Sequence, residues 1–528
     1  MQKISFSIPS FTHQFRLAVL CLYLLCVFIR VLAVQNGNFP FWFDSGRDAV
    51  ISQEIYQNHD IKIQGPTASG TNDTIFHGVI YFYLVGAVYR IVAGDPQQVL
   101  YLLIFFSSLA VIPVAYLGKS LSGSARTGLL AGLLYCFSYD AVRSGTWVSN
   151  PIMAAVGIPL FFWLLWLVFF EKKVQLFPVL TLALALCQQS IVFMFVLWGV
   201  VFSCVYFQHT DKSFAKLWTK KSIALGISTY LIGISSMIVA QAKAWHDGIF
   251  SLSKLLEFSS SGGHDFSSIT GLATLLLTKL TQGFFPTFPI LSILTACLVG
   301  YLWIKKTSVQ HSVWLLLALT SPLWLLAWHY RKMYHGFIGI EAIILIPFAW
   351  VLSQWAWPKY LGKFVVSAAL LLFVYSNFQM WKIESQQRVS LYFVPEGAFF
   401  NEQLQAIDYT YKLAEGKPFT ISSFTNPYGY NTLWAYLYSW YGQKKYGYTP
   451  SFLGPDQTGI FGGSLLTRTE TPGSIHFAIR EPGPGLPEVW QTIFAGEQVA
   501  KVGTPSASEK FGTLFVDVTP PENYRTTK

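Results

Sequence analysis

Asp44 and Asp48 stand four residues apart with Arg47 between them, in Phe43-Asp44-Ser45-Gly46-Arg47-Asp48. Glu54, Asp60, Lys62, Asp73 and His77 follow within the next thirty residues, in a chain with only 12% charged residues. Such a density of ionisable groups, directly after a very apolar first segment, needs a reason. A carboxylate half shielded from water suits a general base that takes a proton from a hydroxyl. The bland alternative is that Asp44 and Asp48 cap and decorate a surface helix. The pattern Ser45-x-x-Asp48 resembles a capping box and predicts a helix over 46–58, with Phe41, Trp42 and Phe43 anchoring the turn at headgroup level. His77, in Phe76-His77-Gly78, is a second candidate, and Gly78 would let backbone approach a ligand; the alternative is an interfacial hydrogen-bonding histidine. Arg143 and Asn150 lie in a short polar loop, where Asn150-Pro151 also reads as a helix start. Arg331 and Lys332 lie in a loop expected on the outer face, where cations are disfavoured. An anionic lipid phosphate would explain them, because Arg grips it with two donors; contact with bulk headgroups is the alternative. The residues show no Walker loop, metal-ligand cluster or nucleophile elbow, so neither a cofactor nor a metal is implied.

The chain that must position these residues has 528 residues, is 53% hydrophobic and 17% aromatic, and has a mean hydropathy of +0.44. Soluble domains carry about 25% charged residues, so the totals point to an all-α polytopic membrane protein. The net charge of +10 is then a matter of orientation in a lipid membrane, not of nucleic-acid binding. Cys21, Cys26, Cys136, Cys187, Cys204 and Cys297 all fall in apolar segments and suggest no disulfide framework. The first apolar run lacks a small-residue cleavage site and reads as a retained anchor.

Spans are expected at 17–34, 97–118, 127–141, 151–170, 174–189, 191–207, 222–240, 287–304, 312–328, 336–354 and 364–380. The segment 77–93 is apolar but is expected to lie along the outer surface. If it crossed, Lys119, Arg126, Lys172, Lys173, Lys305 and Lys306 would all move outside, against the positive-inside rule. The result is eleven spans, a cytoplasmic N-terminus and an extracytoplasmic C-terminus at the cell membrane, with apolar runs at 249–258 and 268–286 in the interface. The spans carry almost no charge, Glu341 being the main exception. That argues for chemistry at one surface over a transporter or flippase, which would line a path with charge. From about 385 polar residues, Gly and Pro rise. A helix at 400–415 and strands at 418–424, 474–480 and 513–519 predict a small α/β domain, with the aromatic stretch 433–443 facing sugar or the membrane interface. Two domains follow: 1–384, with its first outer loop at 35–96, and 385–528.

The order of elements resembles the GT-C-type glycosyltransferases, a group that includes protein O-mannosyltransferases, lipid A aminoarabinose transferases and bacterial RgtA/B/C/D-like proteins. The resemblance rests on Phe43 to Asp48 after the first span, Gln64-Gly65-Pro66-Thr67, Phe76 to Tyr83, the basic loop Gly118-Lys119 to Arg126, and Arg143-Ser144; it covers about 1–380. It implies transfer of a sugar from a polyprenyl-phosphate carrier, on the extracytoplasmic face and usually with inversion, to an acceptor it does not identify. Asp44 would be the base, with Arg47, Asp48, His77, Arg143, Asn150, Arg331 and Lys332 around the donor phosphate or substrate. Many relatives have an aspartate where this chain has Asn150, which leaves Asp44 as the main carboxylate. Divalent metal is not implied.

Overall fold

The computed structural model describes residues 13–67, 75–208, 212–248, 274, 277–321, 337–355, 360–388, 399–481 and 488–524. The first apolar run is one helix, α1 (His13–Val34), followed by α2 (Phe43–Gln57) and α3 (Ile80–Ile91). The bundle continues through α4 (Pro96–Ser108), α5 (Val111–Ser122), α6 (Ala125–Phe137), α7 (Tyr139–Ser144), α8 (Ile152–Phe169), α9 (Phe177–Ser190) and α10 (Leu197–Gln208). It closes with α11 (Lys220–Gly233), α12 (Ser235–His246), α13 (Pro289–Lys306), α14 (Val309–Thr320), α15 (Ile340–Trp355) and α16 (Tyr360–Gln387).

Among the described residues a helix stands at each expected span position; 322–328 of the span expected at 312–328 lies outside them. Among the described residues, five helical units, α1, α4–α5, α8, α13 and α16, are long and apolar enough to cross a membrane, and the pair α11–α12, bent by 62°, makes a sixth if taken as one span. The other apolar helices are shorter pieces of 10–17 residues. The chain breaks where the run 174–207 is too long for one crossing: α9 ends at Ser190 and a 3-10 turn precedes α10. The interfacial runs expected at 249–258 and over most of 268–286 lie outside the described residues.

α3 lies along α2. Its 12 residues reach roughly 18 Å, short of a hydrocarbon core of about 30 Å. Tyr56 Oη donates to Tyr83 O at 2.8 Å and Arg90 Nη1 to Tyr56 O at 3.1 Å. Gly86 makes the approach possible, since a Cβ there would meet Ser52 O at 2.5 Å.

The C-terminal part builds α17 (Phe400–Ala414), β1 (Thr420–Phe424), α18 (Thr432–Leu437), β2 (Ser451–Phe452), β3 (His476–Arg480), α19 (Glu488–Val502), β4 (Ala507–Phe511) and β5 (Leu514–Thr519). The strands form one sheet in the order β2-β1-β3-β5-β4, parallel through β3 and antiparallel beyond it. Sequence reading missed β2, which has two residues, β4, which is mostly exposed, and α19. The aromatic stretch 433–443 proves mainly a packing element: Trp434, Tyr436 and Tyr438 are fully buried. Gly46 of α2 sits so close to α18 that a Cβ would meet Leu433 Cα at 3.0 Å.

The apolar core runs without a break from Val34, Phe39 and Ile51 to Trp434, Ile421 and Val516. The seam is closed by Phe39 stacked on Phe400 at 5.0 Å, by Gln403 Nε2 donating to Phe41 O, and by Arg388 bridging Glu402 (2.6 Å) and Asn38 (2.7 Å). The turn after α3 docks here too: Trp440 Nε1 donates to Ala93 O at 3.0 Å and Tyr436 Oη to Gly94 O. The φ of +83° at Gly94 is the left-handed backbone that glycine adopts readily. The α2–α3 layer and the C-terminal sheet are thus one body on one side of the bundle.

Glu481, at the end of β3, accepts from Asn426 N–H and Trp434 Nε1–H. Burial nevertheless pushes its carboxyl up to about 7. An acid whose folded pKa exceeds its unfolded value of about 4.3 holds its proton more tightly when folded, so stability falls as pH rises between those values. The unfolding temperature should therefore drop from pH about 4.5 to about 7, and Glu481→Gln should flatten that window.

Candidate active site

Asp44 occupies the first turn of α2, where a carboxylate meets the positive end of the helix dipole. The expected capping box does not form. The N-cap is Trp42, in extended backbone with no side-chain cap, and Ser45 is buried inside the helix. The helix starts earlier than the sequence pattern indicated because the Phe41–Phe43 aromatics pack inward: Phe41 and Trp42 are buried, Trp42 against Trp147 with ring centroids 5.1 Å apart.

Asp44 and Asp48 have opposite environments. The Asp44 side chain is 44% exposed and is held by two donors, Arg47 Nη1 at 2.7 Å and Trp42 Nε1 at 3.3 Å. Asp48 is buried. Arg47 donates to its Oδ1 from Nη2 (2.8 Å) and Nε (3.1 Å), while Ser149 Oγ (2.8 Å) and Asn150 N (3.3 Å) donate to Oδ2. Burial raises the Asp48 carboxyl above the usual carboxylate range, and Arg47 opposes that rise. One carboxylate therefore faces outward and is oriented; the other anchors the 146–150 loop.

Asn150 carries the connection further. Its carbonyl accepts from Ser190 Oγ at 2.6 Å, at the end of α9. The carbonyl of the adjacent Gln189 accepts from Gly78 N at 3.0 Å, next to His77. Hydrogen bonds and peptide links thus bring Asp44, Arg47, Asp48, Asn150 and the His77 loop into one neighbourhood. Gly78 does make a close approach, but to protein: a Cβ there would overlap the Gln189 side chain.

Arg143 belongs to a second polar group. It pairs with Glu384, which is buried at the end of α16. Around it on α7, Ser144 donates to Glu341 at 2.9 Å and Asp140 pairs with Lys279 at 3.0 Å, all buried. Arg30 of α1, fully buried, donates to Ser107 (2.9 Å) and to Ala141 O (2.8 Å), and only a glycine fits beside it at 145. The expectation that Glu341 is the main charge in the spans is therefore corrected: Arg30 and Asp140, also within expected spans, are buried as well, beside Lys279 and Glu384. A charge inside an apolar run is itself the signal for such a group, and Arg30 carried it. Arg143 also borders a groove of about 290 Å³ with Leu32, Asn38, Trp381 and Lys382. Arg331 and Lys332 lie outside the described residues. Among the described residues, no three His, Cys, Asp or Glu side chains stand together as metal ligands.

This arrangement of helices recurs in solved structures. ArnT from Cupriavidus metallidurans bound to undecaprenyl phosphate aligns over 97% of this chain and 99% of its own, with a TM-score of 0.57 at 10% identity. The same protein in the apo state gives 96%, 99% and 0.53, again at 10% identity. The fold is the one these structures share, in line with the resemblance to GT-C-type glycosyltransferases. The archaeal oligosaccharyltransferase AglB from Archaeoglobus fulgidus, in complex with an inhibitory peptide and a dolichol-phosphate, aligns over 88% of this chain and 69% of its own, at 12% identity and a TM-score of 0.50. No protein-family model and no curated protein matches the chain by sequence. The GT-C likeness extends through the C-terminal sheet, beyond the 1–380 that the sequence motifs covered.

Proposed function

We propose that the protein is a membrane glycosyltransferase that moves a hexosyl or pentosyl group from a polyprenyl-phosphate carrier to a lipid, glycan or protein acceptor on the extracytoplasmic face. The observation that carries this reading is Asp44: a half-exposed carboxylate, aimed by Trp42 and Arg47, at the head of a juxtamembrane helix in a GT-C fold. The acceptor hydroxyl oxygen attacks the anomeric carbon and gives its proton to Asp44. The bond from that carbon to the phosphate oxygen breaks, and the electron pair leaves on the lipid phosphate. Attack opposite the leaving group inverts the anomeric centre. Positioning and charge stabilisation are the enzyme's main tasks, because the phosphate already leaves well. Passage of a lipid-linked glycan is less well supported, since the buried charges engage protein partners instead of lining a path. Purified protein given a polyprenyl-phosphate sugar and an acceptor should release polyprenyl phosphate together with glycosylated acceptor. Failure with every donor class would overturn the reading.

The orientation follows from the charge pattern, with the N-terminus cytoplasmic. In a cysteine-free background, Gln98→Cys beside the α3 turn and Lys501→Cys on α19 should both react with an impermeant maleimide in intact cells. Protection of either one would overturn this topology.

The donor phosphate is assigned to Arg331 and Lys332, with Arg47, His77 and Arg143 as further candidate contacts. A charge-assisted hydrogen bond contributes about 1.5–3 kcal/mol. Arg331→Ala and Lys332→Ala should therefore raise the donor KM roughly tenfold to hundredfold, leaving the acceptor KM near wild type. If both constants stay at wild type in detergent, the two residues only touch headgroups.

A further inference from the structure

The C-terminal sheet has two unlike faces. Alternation along the strands turns Ile421, Phe477, Ile479, Val516 and Val518 toward the core shared with α2. The other face carries Thr420, Ser422, His476, Ala478, Arg480 and Asp517, brought side by side by the pairings Thr420↔His476, Ser422↔Ala478 and Ala478↔Asp517. A sheet face beneath a helix is normally apolar; this one mixes Phe424, Ala478 and Phe515 with Ser422, Arg480, Asp517 and Thr519. The covering helix, α19, buries only Phe494, Gln498 and Val502 of its 15 residues. Between helix and sheet lies a cavity of about 830 Å³, within the range of small-molecule sites, about 300–1,000 Å³.

The lining chemistry narrows the ligand. Gln498 Oε1 accepts from Ser422 Oγ at 2.7 Å and pairs with His476 Nε2 at 3.0 Å, while no hydrogen bond among the described residues uses its amide NH2. Arg480 grips Asp517 with Nε (2.6 Å) and Nη2 (2.9 Å), and the guanidinium keeps N–H donors beyond these two. Burial holds His476 down to about 4, hence neutral at ordinary pH. Arg480, the lining cation, is already matched by Asp517, so an anion meets no uncompensated positive charge. Phe424 and Phe494, 5.5 Å apart, supply apolar walls. Gln498, Arg480, Asp517 and Thr519 set among Ala478, Phe424, Phe494 and Phe515 suit a ring with hydroxyls on its rim and C–H bonds on its face.

We propose that this cavity is a saccharide-binding site, separate from Asp44, that holds a distal sugar ring of the acceptor. Its acceptor role rests on the transferase reading; its sugar binding does not. Its lining includes no residue of α2, so the ring it holds is not the one that reacts at Asp44.

The test is saturation-transfer NMR on the full-length protein in nanodiscs with glucose, galactose, mannose and N-acetylglucosamine. Wild type should show transfer to at least one sugar, and the Asp44→Asn protein should show the same. Ala478→Leu fills the floor and should weaken that signal at least about tenfold. Gln491→Trp, on an exposed helix position at the rim, should do likewise without touching the fold, and should leave transfer to a short acceptor unchanged. No saturation transfer to any sugar in wild type, or wild-type signals in both cavity variants, would overturn the proposal. If sugars bind as expected but no donor supports transfer, the transferase reading fails and the saccharide site stands.

Discussion

Asp44→Asn is expected to lower turnover roughly 10²–10⁴-fold, the usual contribution of a positioned general base, while expression, insertion and unfolding temperature stay near wild type. The structure separates these outcomes. Asp44 is half exposed, and its ion pair with Arg47 is a partly solvated one, so losing it should cost no more than about 1 kcal/mol. Asn keeps an oxygen for Arg47 and the shape of the first helical turn, yet it cannot accept the hydroxyl proton. Single-turnover measurements with saturating donor should show the loss in the chemical step, with donor KM little changed. Asp44→Glu, which restores a carboxylate on a longer arm, should recover part of the rate. Wild-type turnover in the Asn variant would remove Asp44 from the mechanism.

The sequence made parts of this site legible because their signals are local. Asp44, Arg47 and Asp48 share one helix, so their spacing alone set them together. Charge parity across the loops kept α3 out of the list of spans, and in the structure Gly86, Tyr56 and Arg90 are among the contacts that lay it along α2. The division of labour between the two aspartates was not legible. It depends on Ser149 and Asn150, about a hundred residues away, which close over Asp48 and leave Asp44 outside. The α7 pairings were missed for a related reason: Asp140 needs Lys279, and Arg143 needs Glu384, partners from distant segments that only the bundle brings together. The mixed face under α19 is likewise a product of strand register, since Ser422, Ala478 and Asp517 become neighbours only once β1, β3 and β5 are paired.

Asp48→Ala should destabilise the protein by about 3–5 kcal/mol, the typical cost of stripping one partner from a buried ion pair. Asp48 is buried and takes hydrogen bonds from Arg47, Ser149 and the Asn150 backbone. Its removal leaves the Arg47 guanidinium, itself only 13% exposed, with Asp44 as its one ion-pair partner among the described residues, and leaves two loop donors unmatched. The loop that loses its anchor also holds Trp147 against Trp42, so the orientation of Asp44 should loosen and transfer should fall as well. Unfolding in detergent, followed by tryptophan fluorescence, should show a markedly lower midpoint. Asp48→Asn should fall in between, because an amide still accepts from Ser149 but leaves Arg47 with Asp44 alone to balance its charge. The pair Arg47→Met with Asp48→Leu replaces charge by volume and should recover much of the stability, without recovering transfer if Arg47 is needed to aim Asp44. A direct substrate-binding role for Asp48 predicts something different: Asp48→Ala would unfold at the wild-type midpoint and show only a raised donor or acceptor KM. That outcome would require the carboxylate to turn out of its pocket when substrate binds, which Ser149, Asn150 and Arg47 now hold shut.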